Sequence, residues 1–246
     1  MELNFKIKEK SDKSFKLREA NLINFKKKGF PNKRQEEWKF TDLEKILNDN
    51  FKKLNNEKLE KKKLNVQNLV FEHNSIILNN GKLESINFKL ENIEDKNLLS
   101  IQELDLDHHL NFTDKLKGNS MQNLNTALLE GGYNLNITSD YKFKYPIVIY
   151  NYFSGVLKNK IFNNSESINI SKNSNATIVE YLIDESEGSF FKNTFKYLNI
   201  EEGASLDYYF INKNKSDNFF YEFSKIKLST NSSFKKYIFS SGVKFS

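Results

Sequence analysis

Three short segments near the end of the sequence repeat at a constant spacing, which limits the folds that the chain can adopt. They begin at positions 175, 203 and 231, so that consecutive copies are 28 residues apart. Each copy has a turn residue followed by a run typical of a β-strand, and a period of about 20–50 residues is typical of stacked repeats. The three segments are Asn175–Ile183, Gly203–Ile211 and Asn231–Phe239.

Aligned at this spacing, the segments place similar side chains in columns. Side chains two residues apart lie on the same face of a strand, so three apolar or small columns share one face, which we expect to point inward. These inner columns are Ala176/Ala204/Ser232, Ile178/Leu206/Phe234 and Leu182/Phe210/Ile238. The opposite face carries Tyr181/Tyr209/Tyr237, which predicts a tyrosine ladder.

A second strand precedes each of these segments. These strands are Ile168–Ile170, Leu198–Ile200 and Ile226–Leu228; the last two are again 28 residues apart, whereas the first two are 30 apart. One turn therefore contains a two-residue insertion. Two strands per coil, with coils stacked on each other, predict a parallel β-helix. The alternative is an antiparallel sandwich in which the spacing arises by chance.

The first third of the sequence predicts helices. Ser14–Lys28 has apolar residues on one side, and Gly29 and Pro31 follow as typical terminating residues. Thr41–Glu44 matches a capping box, which predicts a second helix from Thr41 to about Asn48. The charged stretch Lys52–Lys63 is either a further helix or an exposed connection.

Strands dominate the remainder, so the fold class is mainly β with an α-helical N-terminal region. We predict short strands at Leu69–Glu72, Ser75–Leu78 and Leu83–Phe88, a hairpin turn at Asn79–Gly81, a helix at Ser120–Glu130 and a buried strand at Tyr145–Phe153. The expected domains are an N-terminal region, 1–115, and a partial β-helix core domain, 116–246.

The composition excludes several classes of protein. There are no cysteines, so that disulfides and thiolate-ligated metal sites or clusters are excluded for this chain alone. The first 15 residues lack the apolar run of a secretory signal, and Tyr145–Phe153 is shorter than the roughly 20 residues that a membrane-spanning helix needs. We therefore expect a cytoplasmic protein.

The net charge of +6 is unevenly distributed. Residues 1–63 contain 19 Lys and Arg against 11 Asp and Glu, whereas residues 64–246 contain 19 against 21. The basic first quarter leaves open a nucleic-acid-binding module, although such lysines are more often the solvated faces of helices.

The connection after the first predicted helix resembles a known family. Its motif Glu36-Glu37-Trp38-Lys39-Phe40-Thr41 follows a Phe-Pro and a basic pair, and it is similar to the N-terminal region of the SufD family. Leu124–Leu128 with Gly131-Gly132, Pro146–Ile149 and Thr177–Tyr181 resemble the entry and strands of the family's core domain. The resemblance spans nearly the whole chain.

The resemblance implies a non-catalytic scaffold subunit of the SUF iron–sulfur cluster assembly system with a parallel β-helix core. It implies a heterodimer with SufB through that core, and association with the ATPase SufC. The assembled complex would handle the cluster, and no cofactor is expected on this chain alone. The family continues beyond the position of Ser246, so we expect a truncated product that self-associates through its last coil and binds SufC poorly.

Few residues are candidates for a site. Trp38 is expected to anchor its connection to the helical region, and Glu36 and Glu37 to form weak surface ion pairs with the neighbouring Lys33, Arg34 and Lys39. Asp105, Asp107, His108 and His109 are the only clustered metal-ligand types, but adjacent histidines in an extended segment point in opposite directions, and His73 is distant. A polar loop is the preferred interpretation.

No catalytic motif is present. The sequence has neither a phosphate-binding Gly-x-x-x-x-Gly-Lys loop nor a Gly-x-Ser-x-Gly elbow, so no catalytic residue is assigned. A β-helix enzyme acting on acidic polysaccharide is the remaining alternative. It would need repeated acidic and basic residues along an outer groove, and the columns Val179/Asp207/Lys235 and Glu180/Tyr208/Lys236 do not form such an array.

Overall fold

From Gly131 onward the chain runs mainly as strands that alternate between two sheets. The structure is a computed structural model that describes residues 1–7, 12–59, 63–66, 69–91, 99–103, 120–213 and 217–241. The strands of this part are β6 (Gly131–Ile137), β7 (Ile147–Val156), β8 (Lys160–Ile170), β9 (Asn175–Glu187), β10 (Phe190–Ile200), β11 (Ser205–Lys213), β12 (Phe219–Leu228) and β13 (Ser233–Ser241).

These strands form a parallel β-helix, as the repeat predicts. One sheet contains β6, β8, β10 and β12 in parallel order, and the other contains β7, β9, β11 and β13 in parallel order. An antiparallel sandwich is therefore excluded. The inner faces enclose an apolar cluster that includes Ile149, Ile168, Ile178, Leu198 and Leu206.

The register of the first repeat differs from the prediction by two residues. β9 pairs with β11 at an offset of 30, so Ala176 lies beside Leu206 and Ile178 beside Tyr208, whereas β11 pairs with β13 at the predicted offset of 28. Because the error is two residues, each side chain keeps its predicted face, and Ala176, Ile178 and Leu182 are indeed buried. Both strands of this coil have the longer offset, since Ile168 also pairs with Leu198.

The predicted ladder of three tyrosines is consequently wrong. Tyr209 and Tyr237 stack with ring centres 4.8 Å apart, but Tyr181 lies beside Ile211 and, on its other side, beside Tyr150. The two extra residues lie in the corner after β9. Leu182 pairs with Asn212, and Phe191 pairs with Phe219. Phe191 follows Leu182 by nine residues, whereas Phe219 follows Asn212 by only seven.

One corner of the β-helix explains this register. Asp140, Asn173, Gly203 and Asn231 all have a left-handed backbone, with φ between 55° and 67°, and they occupy equivalent positions in successive coils. The amide of Asn173 donates to the carbonyl of Glu202, and the amide of Gly203 donates to that of Thr230. Glycine and asparagine adopt this conformation most readily, so these residues fix where each coil turns.

The N-terminal elements extend both sheets. They are the helices α1 (Asp12–Lys28) and α2 (Leu43–Asn50), the 3-10 turns Glu36–Trp38 and Lys89–Glu91, and the strands β1 (Glu2–Asn4), β2 (Lys53–Asn55), β3 (Asn74–Asn79), β4 (Lys82–Asn87) and β5 (Leu99–Glu103). β1 and β2 join the sheet of β8, and β3 pairs in parallel with β7. β3 and β4 form the predicted hairpin through Asn80 and Gly81.

Helices cover the outer face of the sheet that contains β8. The last described helix, α3 (Ser120–Leu128), together with α1 and α2 forms an apolar cluster with the outward side chains Ile161, Phe191 and Phe219. α1 ends as predicted, with the Gly29 amide donating to the Phe25 carbonyl. The charged stretch after α2 contains β2, and residues 69–72 are not a strand, contrary to that prediction.

The predicted capping box at Thr41 is also wrong. Asp42 is the N-cap of α2, and its carboxylate accepts from the Lys45 amide at 2.9 Å. Glu44 accepts instead from the Asn32 side chain. Thr41 and Asp42 are both good N-cap types, and sequence alone does not separate adjacent candidates.

Candidate functional site

A lysine surrounded by carboxylates lies inside the β-helix. Lys196 Nζ is 2.6 Å from Glu180, 3.1 Å from Glu166 and 3.2 Å from Glu222, and it donates to the Tyr208 hydroxyl at 2.7 Å. Tyr208 in turn donates to Glu180 at 2.5 Å. These five residues come from β8, β9, β10, β11 and β12, so one polar cluster connects five successive strands of the β-helix.

Further polar side chains surround this cluster. Asn151 donates to Glu180 at 3.2 Å, and the Tyr133 hydroxyl donates to Glu166 at 3.4 Å. Lys192 Nζ lies 3.9 Å from Glu180. Towards the end of the β-helix, Lys236 pairs with Glu222 at 2.5 Å. We call Glu166, Glu180, Lys192, Lys196, Tyr208, Glu222 and Lys236 the interior charge cluster; its three lysines and three glutamates balance.

The neighbouring charges decide the protonation of the cluster. Burial alone would lower the pKa of Lys196, but Glu166, Glu180 and Glu222 outweigh it and hold that pKa well above its usual value. Burial alone would raise the pKa of Glu180, yet Lys196 and Lys192 hold it at about 2. Burial, reinforced by Glu180, raises the pKa of Glu166, because Lys196 only partly compensates. Lys196 is therefore a cation, and Glu180 an anion, at neutral pH.

This arrangement is closed to solvent over most of its extent. The side chains of Lys196, Glu166 and Glu180 are at most 2% exposed, whereas those of Glu222 and Lys236 are 24% and 22% exposed. A group that must exchange protons with a substrate has to contact it, which Glu166 and Glu180 cannot do from this position. The cluster thus supplies internal charge balance between the strands.

A second candidate site is the end of the β-helix formed by β12 and β13. On the inner side of these strands Ile226, Leu228 and Ile238 are 39%, 53% and 62% exposed. The β10 neighbours of the first two, Leu198 and Ile200, are core, and Phe210, the β11 neighbour of Ile238, packs against the core. Among the described residues, no further strand pairs with the outer edge of either strand. We call this surface, with its central Glu222–Lys236 pair, the end face. Unpaired parallel strands with an apolar inner side are suited to binding another strand or coil.

The connection that contains Trp38 attaches to the outside of the β-helix. The indole packs against the helix-lined cluster and stacks on Tyr221 of β12, with ring centres 5.7 Å apart and planes 29° apart. Glu36 and Lys39 form an exposed ion pair of 2.8 Å, and the Phe40 ring is 87% exposed. Trp38 has the anchoring role that the sequence predicts, and the Glu36–Lys39 contact confirms one of the predicted surface ion pairs.

Comparison with known proteins identifies the family of this chain. The family described as SufBD protein N-terminal region matches residues 3–149, which is more than half of the chain. The chain belongs to the SufB/SufD family. No curated protein matches the sequence significantly.

The matched range ends within β7, so the Trp38 connection and the β3–β4 hairpin lie in the characteristic SufB/SufD region. The interior charge cluster and the end face lie beyond residue 149. Membership of this family supports a role in iron–sulfur cluster assembly by the SUF system.

The group of acidic and histidine residues for which a polar loop is predicted falls outside the described residues. Asp105, Asp107, His108 and His109 all belong to that part of the chain. His73 contacts the Phe71 carbonyl and the Tyr150 hydroxyl, at 2.7 and 2.8 Å. Within the described ranges, no three His, Asp or Glu side chains are grouped to hold a metal ion, and no helix there is long and apolar enough to cross a membrane.

The interior charge cluster was not predicted from the sequence. The column Glu180/Tyr208/Lys236 was weighed only against an outer groove, for which it does not form the required array. All three side chains point inward, with Tyr208 beside Ile178 and Glu180 beside Phe210. The signal was available, because Glu180 alternates in phase with Ile178 and Leu182. The true outer column is Thr177/Asp207/Lys235, which does not repeat an acidic residue.

Proposed function

We propose that this chain is a SufD-type scaffold subunit of the SUF iron–sulfur cluster assembly complex, with no catalytic role of its own. Family membership supports the assembly role. The resemblance of the motif around Trp38 to the SufD family supports the SufD type. The interior charge cluster supplies no catalytic group in this proposal, since Glu166 and Glu180 are at most 2% exposed and cannot contact a substrate.

The proposed partners are SufB and the ATPase SufC, acting in the cytoplasm without a membrane or a nucleic acid. SufB would bind through the β-helix core, and the cluster would be handled by the assembled complex rather than by this chain alone. The end face supports this proposal, because among the described residues its two outer strand edges are unpaired and three inner apolar side chains are exposed. A related β-helix could continue both sheets across it.

Co-purification tests the proposal. A tagged chain, co-expressed with SufB and SufC from the same source, is expected to retain SufB. Ile238→Asp places a charge on the end face and should weaken capture at least about tenfold, which corresponds to roughly 1.4 kcal/mol.

The matched control is Ile86→Asp, since Ile86 is 50% exposed on β4, at the opposite edge of the same sheet. This variant should capture SufB as the unaltered chain does. Failure of the unaltered chain to retain SufB would overturn the proposed partner. Equal capture by both variants would overturn the end face as its binding surface.

A further inference from the structure

Lys192 is a buried cation without a carboxylate at hydrogen-bond distance among the described residues. Its side chain is 5% exposed, and its closest carboxylate oxygen, on Glu180, is 3.9 Å away, which is too far for a hydrogen bond. Its Nζ also lies 5.7 Å from the centre of the Phe153 ring. An ammonium group can donate three hydrogen bonds, and leaving it unsatisfied in the interior is costly.

Three buried oxygen atoms on β7, β8 and β10 have no hydrogen-bond partner among the described residues. They are Asn151 Oδ1, Asn164 Oδ1 and Thr194 Oγ1, and each of their residues is at most 2% exposed. Asn164 and Thr194 are neighbours on paired strands. Thr194 lies between Lys192 and Lys196 on the inner face of β10. The Asn151 amide donates a hydrogen bond to Glu180, whose carboxylate lies 3.9 Å from Lys192 Nζ. By strand register, all four polar groups therefore lie on the inner faces of two neighbouring coils.

The chemistry of these groups selects the ligand. The ammonium needs acceptors, the two amide oxygens need donors, and the hydroxyl can use either. A second cation would be repelled by Lys192, and an anion would meet Glu180 and the amide oxygens. A small neutral molecule that both donates and accepts satisfies all four. We infer that the β-helix binds ordered water between Lys192, Asn151, Asn164 and Thr194.

The backbone next to this site fits the inference. Gly81, at the tip of the β3–β4 hairpin, covers the interior beside Asn164 and accepts a hydrogen bond from its amide at 3.3 Å. A Cβ on Gly81 would lie 1.9 Å from that amide nitrogen and would displace the Asn164 side chain, and the φ of +78° also favours glycine. The hairpin thus closes the first end of the polar section. Buried water that makes two to four hydrogen bonds, as expected here, is normally an integral part of a fold.

Magnetic relaxation dispersion of water oxygen-17 and deuterium tests this site, because it counts water molecules that remain bound for longer than the protein tumbles. The unaltered chain should show the signal of at least one such molecule. Thr194→Val has nearly the same shape but no hydroxyl, and it should lower the signal by at least one water. Thr177→Val, on the outer side of β9, is the matched control and should leave the signal unchanged.

An unaltered signal in folded Thr194→Val, or no long-lived water in the unaltered chain, would overturn the inference. If Thr194→Val does not fold, a high-resolution crystal structure of the unaltered chain decides. Density for water bridging Lys192 Nζ and Asn164 Oδ1 is expected. Direct contact between these side chains, or an empty gap between them, would contradict the site.

Discussion

One buried lysine, Lys196, is the centre of the charged groups inside the β-helix. Lys196 is 1% exposed and contacts three glutamates from three other strands. Such a charge is tolerated only because its partners offset the loss of hydration, and removing one partner of a buried pair typically costs about 3–5 kcal/mol. Single substitutions in the interior charge cluster are therefore expected to lower the free energy of unfolding substantially.

The pH dependence of Glu180 follows from this arrangement. Its pKa is about 2 in the folded chain, against 4.5 ordinarily, so its carboxylate stabilises the fold above about pH 4.5 and this stabilisation is lost as the pH falls towards 2. Glu180→Gln should lower the free energy of unfolding at pH 7 by roughly 3–5 kcal/mol. It should also show a smaller decrease between pH 5 and pH 3, measured by urea titration.

The control for this variant is Glu202→Gln, because Glu202 forms an exposed ion pair of 3.1 Å with Lys172. Exposed pairs contribute little, so this change should stay within about 1 kcal/mol at pH 7. If Glu180→Gln kept the full decrease between pH 5 and pH 3, Glu180 would not be the ionised partner of Lys196.

At the scale of strands, the corner residues set the register more strongly than the strand residues do. An alignment that starts at Asn175 pairs Tyr181 with Tyr209 and Ile178 with Leu206, which is the better match of side chains. The structure instead aligns Asn173 with Gly203, because both have positive φ. Asn173 and Asn175 are separated by one residue, so the sequence does not show which of them forms the corner. Asn231 has no second asparagine or glycine two residues away, so the offset of 28 after Gly203 was predictable.

The register can be tested with engineered cysteines, since the natural chain has none. Val179 lies directly opposite Tyr209 on the outer side of β9 and β11. Val179→Cys with Tyr209→Cys should form a disulfide on mild oxidation, because neighbouring strands are about 4.8 Å apart. The product is identified by mass spectrometry of peptides without reduction.

The matched pair is Tyr181→Cys with Tyr209→Cys, which would be opposite each other at an offset of 28. In the observed register their Cα atoms are separated by about 8 Å from strand spacing and rise, too far for a disulfide. Preferential oxidation of this second pair would show that the offset of 30 is wrong.

At the scale of the molecule, the predicted boundary near residue 115 does not separate the sheets. β1 and β2 join the sheet that contains β8, and β3 pairs with β7. Helical and alternating patterns are local, so the sequence predicts that helices occur before this boundary and that strands dominate after it. It does not predict that the early strands extend the β-helix, since pairing between distant short strands leaves no periodic signal. The 1–115 and 116–246 division remains a prediction.

Shared sheets lead us to expect one cooperative unfolding transition. Trp38, the only tryptophan, stacks on Tyr221 of β12 and so reports on the contact between the N-terminal region and the β-helix. Its fluorescence and the far-ultraviolet circular dichroism of the strands should change at the same urea concentration. Tyr221→Ala should alter the fluorescence of folded Trp38. The control Tyr237→Ala removes a tyrosine that stacks on Tyr209 instead, and it should leave that fluorescence unchanged. In a single cooperative unit, the stacking of Trp38 on β12 cannot be lost before the strands unfold. Loss of the Trp38 signal at a clearly lower urea concentration than the strand signal would therefore show that the N-terminal region unfolds separately.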